Sequence, residues 1–405
     1  MPGACRSVAG VSTADIPAGD PDHIADRLVD RFSSVVGRQP VGCFMAPGRV
    51  NLIGEHVDYN NGKCLPMALP HATYAALAPR DDDEVRIVSL QQEEPWRGRI
   101  DALGPGEVDG WATYVAGVVW ALQQEGADLP GLDIVVDSRV PVGAGLSSSA
   151  ALECSVALGL CAVAGLSVDQ DVRRRLVSAC MRAETEVARA PTGGMDQTIA
   201  MFGEAGQALL LDCGDWSTEQ VPWDPAARDL ELLVVDTRAE HSLIDGGYES
   251  RRADCEEAAR ILGVESLREV NEPEQALAAL DDDRIRRRAR HVLTEMARVE
   301  EAVGQLRNSD YTGLGQSFAA SHRSLRDDFE VSCDELDVAV EAALSAGALG
   351  ARMTGGGFGG SAIALVRAWD VQAVTSQVQA SYARRGWDPA DIVAVEPGQG
   401  AHRVS

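Results

Sequence analysis

The stretch PVGAGLSSSAALECSVALGLCAVAG, residues 141–165, most constrains what this chain can fold into. A glycine- and serine-rich turn runs without pause into a helix that is apolar nearly all round, and such a helix is stable only when other elements cover it on every side. The preceding LDIVVDS reads as a strand, so the unit is strand, Gly-rich loop, buried helix. Glycines let the backbone approach an anion, and amides at the next helix N-terminus point at it with the positive end of the dipole. Ser147, Ser148 and Ser149 add hydroxyls suited to phosphate oxygens or a metal ion. A serine-rich cap that binds nothing is the plainer alternative, but three successive serines exceed what a cap requires.

Absences narrow the class of phosphate site. A Walker loop needs GxxxxGK followed by Ser or Thr, and a protein kinase needs a strand lysine on the nucleotide phosphates. The only lysine of this chain is Lys63, in an Asn-Asn-Gly turn, so neither scheme has its cation. The charge has to be met by Mg²⁺, backbone amides and arginine. A net charge of -26 argues against a general nucleic-acid or membrane-surface role, since like charge repels phosphate. Nine cysteines form no CxxC pair and leave an odd count, which fits reduced thiols in the cytoplasm better than a disulfide framework or a zinc site. No signal-like start and no long apolar run is present, so neither secretion nor membrane spanning is expected.

With 405 residues the chain is expected to form two lobes rather than one core. Residues 1–20 read as a frayed end and DHIADRLVDRFSSVVG as a helix. HATYAALAP and EVRIVSL read as strands around a turn at Arg80 to Asp83, and WATYVAGVVWALQQEG as a helix ending at Gly126. ALLLDC and LELLVVDT are further strands, and the weakly structured DWSTEQVPWDPAARD between them marks the lobe boundary. The expected division is 1–215 and 216–405, the second part carrying long charged helices.

TGGGFGGSAIALV contains a literal GxGxxG, but Ser361 to Val366 then alternate like a strand, which excludes a dinucleotide fingerprint. It is either a flexible hairpin turn or a second backbone surface over a ligand. Asp196, after a Gly pair and before an apolar run, reads most simply as a first-turn acid, and Glu184 as a solvated helix residue; only a shared site would promote them. The segment MAPGRVNLIGEHVDYNNG sets Arg49, Glu55, His56 and Asp58 among glycines and asparagines that resist regular structure. Carboxylates that accept bonds and an imidazole that does either form a surface suited to reading several hydroxyls, hence a polyol. A metal cluster ranks below this, because Glu-His-x-Asp offers no usual zinc spacing.

GRVNLIGEHVDYNNG, PVGAGLSSSAALE, GGMDQ, YESRRADCE, SHRSLRDDFEVSCDELD and RMTGGGFGGS together resemble the GHMP small-molecule kinases, and within them the galactokinase family. The resemblance implies a two-lobed α+β fold with the active site in the cleft between lobes. It implies transfer of the γ-phosphate of MgATP to the anomeric hydroxyl of galactose, giving galactose 1-phosphate, the first phosphorylation step of galactose catabolism. It places the catalytic aspartate at Asp196 and a transition-state arginine at Arg49. Sugar contacts fall on Glu55, His56, Val57, Asp58 and Tyr248. The triphosphate loop maps to Gly143, Ala144, Gly145, Leu146, Ser147, Ser148 and Ser149. Mg²⁺ falls to Ser149 and Glu184, and WATYV matches an adenine-side motif, pointing to Trp111 and Tyr114. Galactose and ATP are the expected partners of a monomer, with no nucleic acid and no membrane. Thr185 and Arg189 depart from the family pattern in the loop leading to Asp196. Two rivals remain: a non-catalytic sugar sensor, which the intact serines and Asp196 oppose, and a GHMP kinase for mevalonate or homoserine, which GEHVDY opposes.

Overall fold

The computed structural model describes residues 17–190, 192–239 and 244–405, so most of the expected frayed end, residues 1–16, lies outside the described residues. α1 (Pro21–Val36) is capped by Asp20, which accepts the His23 N–H, and stops at Gly37 in the left-handed conformation. Next in the chain are β1 (Gly42–Asn51), β2 (Lys63–Cys64), β3 (Pro66–Pro79), β4 (Glu84–Ser89), β5 (Trp96–Arg99), α2 (Ala112–Gln124) and β6 (Leu132–Ser138). α3 (Ser148–Val163), α4 (Gln170–Arg182), α5 (Met195–Phe202), β7 (Gln207–Asp212), β8 (Ser217–Pro222) and β9 (Leu230–Asp236) come after them. The helical run is α6 (Ile244–Leu262), α7 (Pro273–Ala278), α8 (Asp283–Arg307), α9 (Tyr311–Ser324) and α10 (Asp334–Ser345). β10 (Gly350–Thr354), β11 (Ser361–Arg367), α11 (Val371–Arg385), β12 (Asp391–Val395) and β13 (His402–Arg403) complete the chain.

The first sheet has the order β13-β1-β3-β6-β4-β5, with β4 parallel to β6 and its other pairs antiparallel. Alternation along β1 divides its side chains between two layers. Cys43 and Met45 pack under α1 with Ile24, Leu28 and Phe32, while Phe44 and Ala46 face the α2 and α3 side. α3 is buried nearly all round, as its sequence demands, and lies across β1 and β3.

The second sheet, β10-β11-β9-β12, is antiparallel. On one face Leu233, Val235, Ala362 and Ala364 meet α10 and α11. On the other, Leu232, Val234, Ile363 and Leu365 join Val50, Leu52, Met67 and the α8–α9 pair in a core shared by both halves of the molecule. That shared core is the floor beneath the site.

One segment differs from expectation. DWSTEQVPWDPAARD is not unstructured: its residues 217–222 form β8, paired antiparallel with β7. Only Val221 of that strand is buried, so the strand carries no alternation to read. Position 215, where the sequence places the lobe boundary, falls in the turn between β7 and β8, and the last strand returns to pair with β1.

Candidate active site

Arg49 sits near the end of β1, just past an irregularity between Pro47 and Arg49 where the strand bulges beside β3. Gly48 is the cause. A Cβ there would stand 2.6 Å from the Leu146 carbonyl oxygen, so glycine lets the serine loop lie directly against the strand. The Arg49 guanidinium, almost fully buried, donates from Nε and Nη2 to the two oxygens of Asp196 at 2.8 and 2.9 Å, and from Nη1 to the Gly145 carbonyl at 2.6 Å. This is the fork geometry that orients a carboxylate rigidly. Asp196 stands in the first turn of α5, and the Ser147 hydroxyl also donates to it.

Arg49 and Asp196 share a polar cavity of about 170 Å³ with Glu55, His56, Asp58, Glu184, Tyr248 and the backbone of Gly193, Gly355 and Gly356. Glu55 accepts from Asn51 Nδ2 (2.7 Å), Arg352 Nη2 (2.6 Å), Thr354 Oγ1 (3.1 Å) and the Gly355 N–H (2.9 Å). Burial pushes its carboxyl above the usual range, and Arg352 pulls it back. His56 adopts a left-handed φ of 61°. Its Nε2 lies 3.2 Å from the Gly356 carbonyl, an acceptor only, so Nε2 carries the proton and Nδ1 accepts from the Tyr59 hydroxyl at 3.0 Å. Burial, with His291 nearby, lowers the His56 pKa to about 3, so the ring is neutral at ordinary pH. Its centroid lies 4.8 Å from that of Phe329 and 5.6 Å from that of Tyr248. Burial raises Asp58 to about 6. A Cβ on Gly193 would fall 1.8 Å from Asp58 Oδ2, so this glycine is what admits the carboxylate.

The serine loop closes the other side. Gly143, Gly145 and Ser147 have φ of 87°, 71° and 58°, an unwound turn that leads into α3. Ser149 Oγ donates to Glu184 Oε1 at 2.8 Å. Glu184 is not solvated: it lies four residues after the buried Cys180, on the inward face of the helix where α4 runs into a π-helical turn over Ala183–Val187 with Ala188 N–H bonded to Ala183 O, while Thr185 and Glu186 face water. Burial raises its pKa to about 7. The β10–β11 turn lies against the serine loop: Ser361 Oγ donates to the Ala144 carbonyl at 2.7 Å, and a Cβ on Gly355 would lie 3.2 Å from Gly145 O. The GxGxxG of the sequence is therefore a backbone wall, with Gly355 and Gly356 on the cavity. A larger, mostly apolar cavity of about 450 Å³ lies between α4, α5 and Trp216, but it gathers no cluster of carboxylates and is not the chemical centre.

The galactokinase galactose-binding signature matches residues 30–79, and the GHMP kinase N-terminal and C-terminal domains match 113–204 and 302–384. Over 95% of its length, the chain is 47% identical to a galactokinase of Streptomyces coelicolor, of which 99% is covered. This chain belongs to the galactokinase family. It is 44% identical to a galactokinase of Bos taurus over 87% of this chain and 90% of the relative. Its fold matches the crystal structure of Lactococcus lactis galactokinase complexed with galactose with a TM-score of 0.88 and 32% identity, over 94% of this chain and all of the other. A mevalonate kinase matches with a TM-score of 0.63 at 15% identity, over 87% of this chain and 98% of the other, a likeness of fold alone. The chain is thus an ATP-dependent kinase acting on a sugar hydroxyl, with the GHMP kinase fold that the motifs implied.

Among the residues singled out from the sequence, Arg49, Glu55, His56, Asp58, Glu184, Asp196 and Tyr248 meet at one cavity, and Ser147 and Ser149 reach it through Asp196 and Glu184. Val57 does not line it: its side chain is fully buried in the core beside Cys64 and Met195. Trp111 and Tyr114, at the start of α2, also stand outside it, although Tyr114 feels the charges of Glu184 and Glu153. Arg352, Gln197 and Glu153 went unremarked in the sequence. Burial, then the Glu184 charge, pushes the Glu153 carboxyl well above the usual range. A lone acid in an otherwise apolar helix was the available signal, since a buried carboxyl needs a partner.

Proposed function

We propose that this chain transfers the γ-phosphate of ATP to the anomeric hydroxyl of galactose, giving galactose 1-phosphate. The observation that carries the reading is the forked Arg49–Asp196 pair on the wall of a hydroxyl-reading cavity, made by residues 147 apart in sequence. Asp196 orients the attacking hydroxyl and takes its proton, and Arg49 stabilises negative charge on the transferring group. Asp58 and Tyr248 read the other hydroxyls, and His56 joins them by exchanging its Tyr59 or Gly356 partner for the sugar. Glu55 joins them on the wall with each oxygen already accepting two bonds, so it also fixes the shape of the pocket. The amides of Gly143 to Ser149 receive the triphosphate at the start of α3, and Trp111 and Tyr114 stand toward the base.

Magnesium fits Ser149 and Glu184, whose hydroxyl and carboxylate are the hard oxygen donors this ion takes alongside phosphates and water. When bound it neutralises charge on the phosphates. The eight described cysteines are all free thiols, which supports a cytoplasmic enzyme.

An ADP-release assay over galactose, glucose and N-acetylgalactosamine tests the reading, with galactose expected to be strongly preferred because a wrong epimer leaves buried polar groups unpaired. Asp196→Asn is expected to retain sugar binding and lose about 100-fold or more in turnover. Preference for another sugar, or near-normal turnover in the variant, refutes the assignment.

A further inference from the structure

Gln197 is the residue after Asp196 on α5 and is completely buried. Its Nε2 lies 2.5 Å from Glu184 Oε2 and 3.2 Å from Glu153 Oε2, and its Oε1 accepts from the Thr192 hydroxyl at 3.4 Å. A carboxamide has two N–H donors, and here each is aimed at a different carboxyl group. The reversed amide would set its oxygen against Glu184 Oε2 at 2.5 Å, so that neighbour fixes its sense. Ser149 and Glu153 lie four residues apart on one face of α3. Ser149 therefore holds one oxygen of Glu184 while Gln197 spans the gap from the other oxygen to Glu153. Glu153 Oε1 has no hydrogen-bond partner among the described residues, so Gln197 is the contact that ties this buried carboxyl into the site.

We propose that Gln197 is a positioning residue that sets the Glu184 carboxylate for the divalent cation accompanying ATP, and that it links that carboxylate to Asp196 through adjacent positions on α5. The proposal rests on the reading of Glu184 as a cation ligand. A glutamine that served packing alone would be replaceable by methionine, which has similar length and volume but no donor.

The test measures Mn²⁺ binding by electron paramagnetic resonance in the presence of a non-hydrolysable ATP analogue, beside the Mg²⁺ and galactose dependence of turnover. Glu184→Gln comes first: unchanged Mn²⁺ affinity there refutes the underlying ligand assignment. Given a loss in that variant, Gln197→Met is expected to weaken Mn²⁺ binding by about 10-fold or more, the usual scale for a residue that orients a metal ligand, with the galactose KM within about twofold of the parent. Mn²⁺ affinity within twofold of the parent, or a loss of kcat with no change in Mg²⁺ requirement, overturns the role of Gln197 while leaving Glu184 in place. Thr192→Val, which removes the hydroxyl holding the Gln197 amide, is the second variant should Gln197→Met not fold. A weaker shift in the same direction supports the proposal, and no shift overturns it.

Discussion

Glu55→Gln tests what holds the sugar-binding segment against the second sheet. All four polar neighbours of Glu55 donate to it, and Arg352, wholly buried, is the charged one. Glutamine has nearly the same shape, so no cavity is opened. Its oxygen turns toward Arg352 and Asn51, and its NH₂ then faces Thr354 and Gly355. The Thr354 hydroxyl has the Asn51 carbonyl at 3.1 Å as another acceptor, but the Gly355 N–H is left against a donor. Arg352 keeps the Asn51 and Leu52 carbonyls at 3.3 and 2.8 Å and the more distant Glu295 at 3.9 Å. The cost is therefore near the lower end of that for breaking a buried ion pair, about 3 kcal/mol. For 405 residues the per-residue entropy of unfolding gives about 0.85 kcal/mol/K, so the ligand-free melting temperature is expected to fall by about 3–4 °C. Differential scanning fluorimetry at pH 7.5 reads this, and the galactose KM is expected to rise because Gly355 and Gly356 form one wall of the cavity. Arg352→Met strands the opposite charge, and the double variant is expected to lose less than the two singles combined. A melting temperature within about 1 °C of the parent for Glu55→Gln would mean that the carboxyl is already neutral in the folded protein, and the ion-pair argument falls.

Two further substitutions separate charge from backbone strain. Asp58, raised to about 6 in the fold, binds its proton more tightly there than in the unfolded chain, so its stabilising contribution is complete below the unfolded value of 3.8 and is lost as pH rises through about 6. Asp58→Asn is expected to raise the ligand-free melting temperature at pH 8 and to raise it by only about half as much at pH 5, which lies between the two pKa values; an equal offset at both refutes burial as the cause. Arg189, exposed, holds φ at 57°, a conformation glycine adopts without steric cost, so Arg189→Gly is expected to stabilise the protein by about 1 kcal/mol in urea denaturation. A loss of stability would show that the arginine side chain contributes more than its backbone costs.

Consecutive residues carry the part of the candidate site that is legible in the sequence. The polar cluster of Glu55, His56 and Asp58 and the loop-to-helix geometry at Ser147 to Ser149 are local, because glycines and polar clusters in one segment decide them. The pairing of Arg49 with Asp196 is not local, and neither residue announces the other; only the family resemblance brought them together. Glu184 reads as solvated because a charged helix residue usually faces water, and its place on the same face as the buried Val177 and Cys180 is what puts it inside. Arg352 gives no signal in the sequence, since a guanidinium with no exposed surface runs against what hydropathy suggests. β8 escaped because an edge strand with one buried side chain has no pattern.

The scarcity of lysine acquires its meaning in the site. Lys63 pairs with Glu300 and is not among the residues on the cavity, where Arg49, already committed to Asp196, is the one lysine or arginine among the described residues. His56 adds no charge, because its pKa of about 3 keeps it neutral. Glu55 is matched by Arg352, but Asp58, Glu184 and Asp196 still stand against one guanidinium. Such a cavity repels a bare triphosphate, and the loop amides supply only partial charges. The nucleotide is thus expected to arrive already carrying a divalent cation, with Ser149 and Glu184 waiting at the junction of α3 and the π-helical turn. The same excess of carboxylates that suits the pocket to hydroxyls is expected to make ATP binding depend on that cation, and nucleotide affinity falling on removal of divalent cations with EDTA is the measurement that checks it.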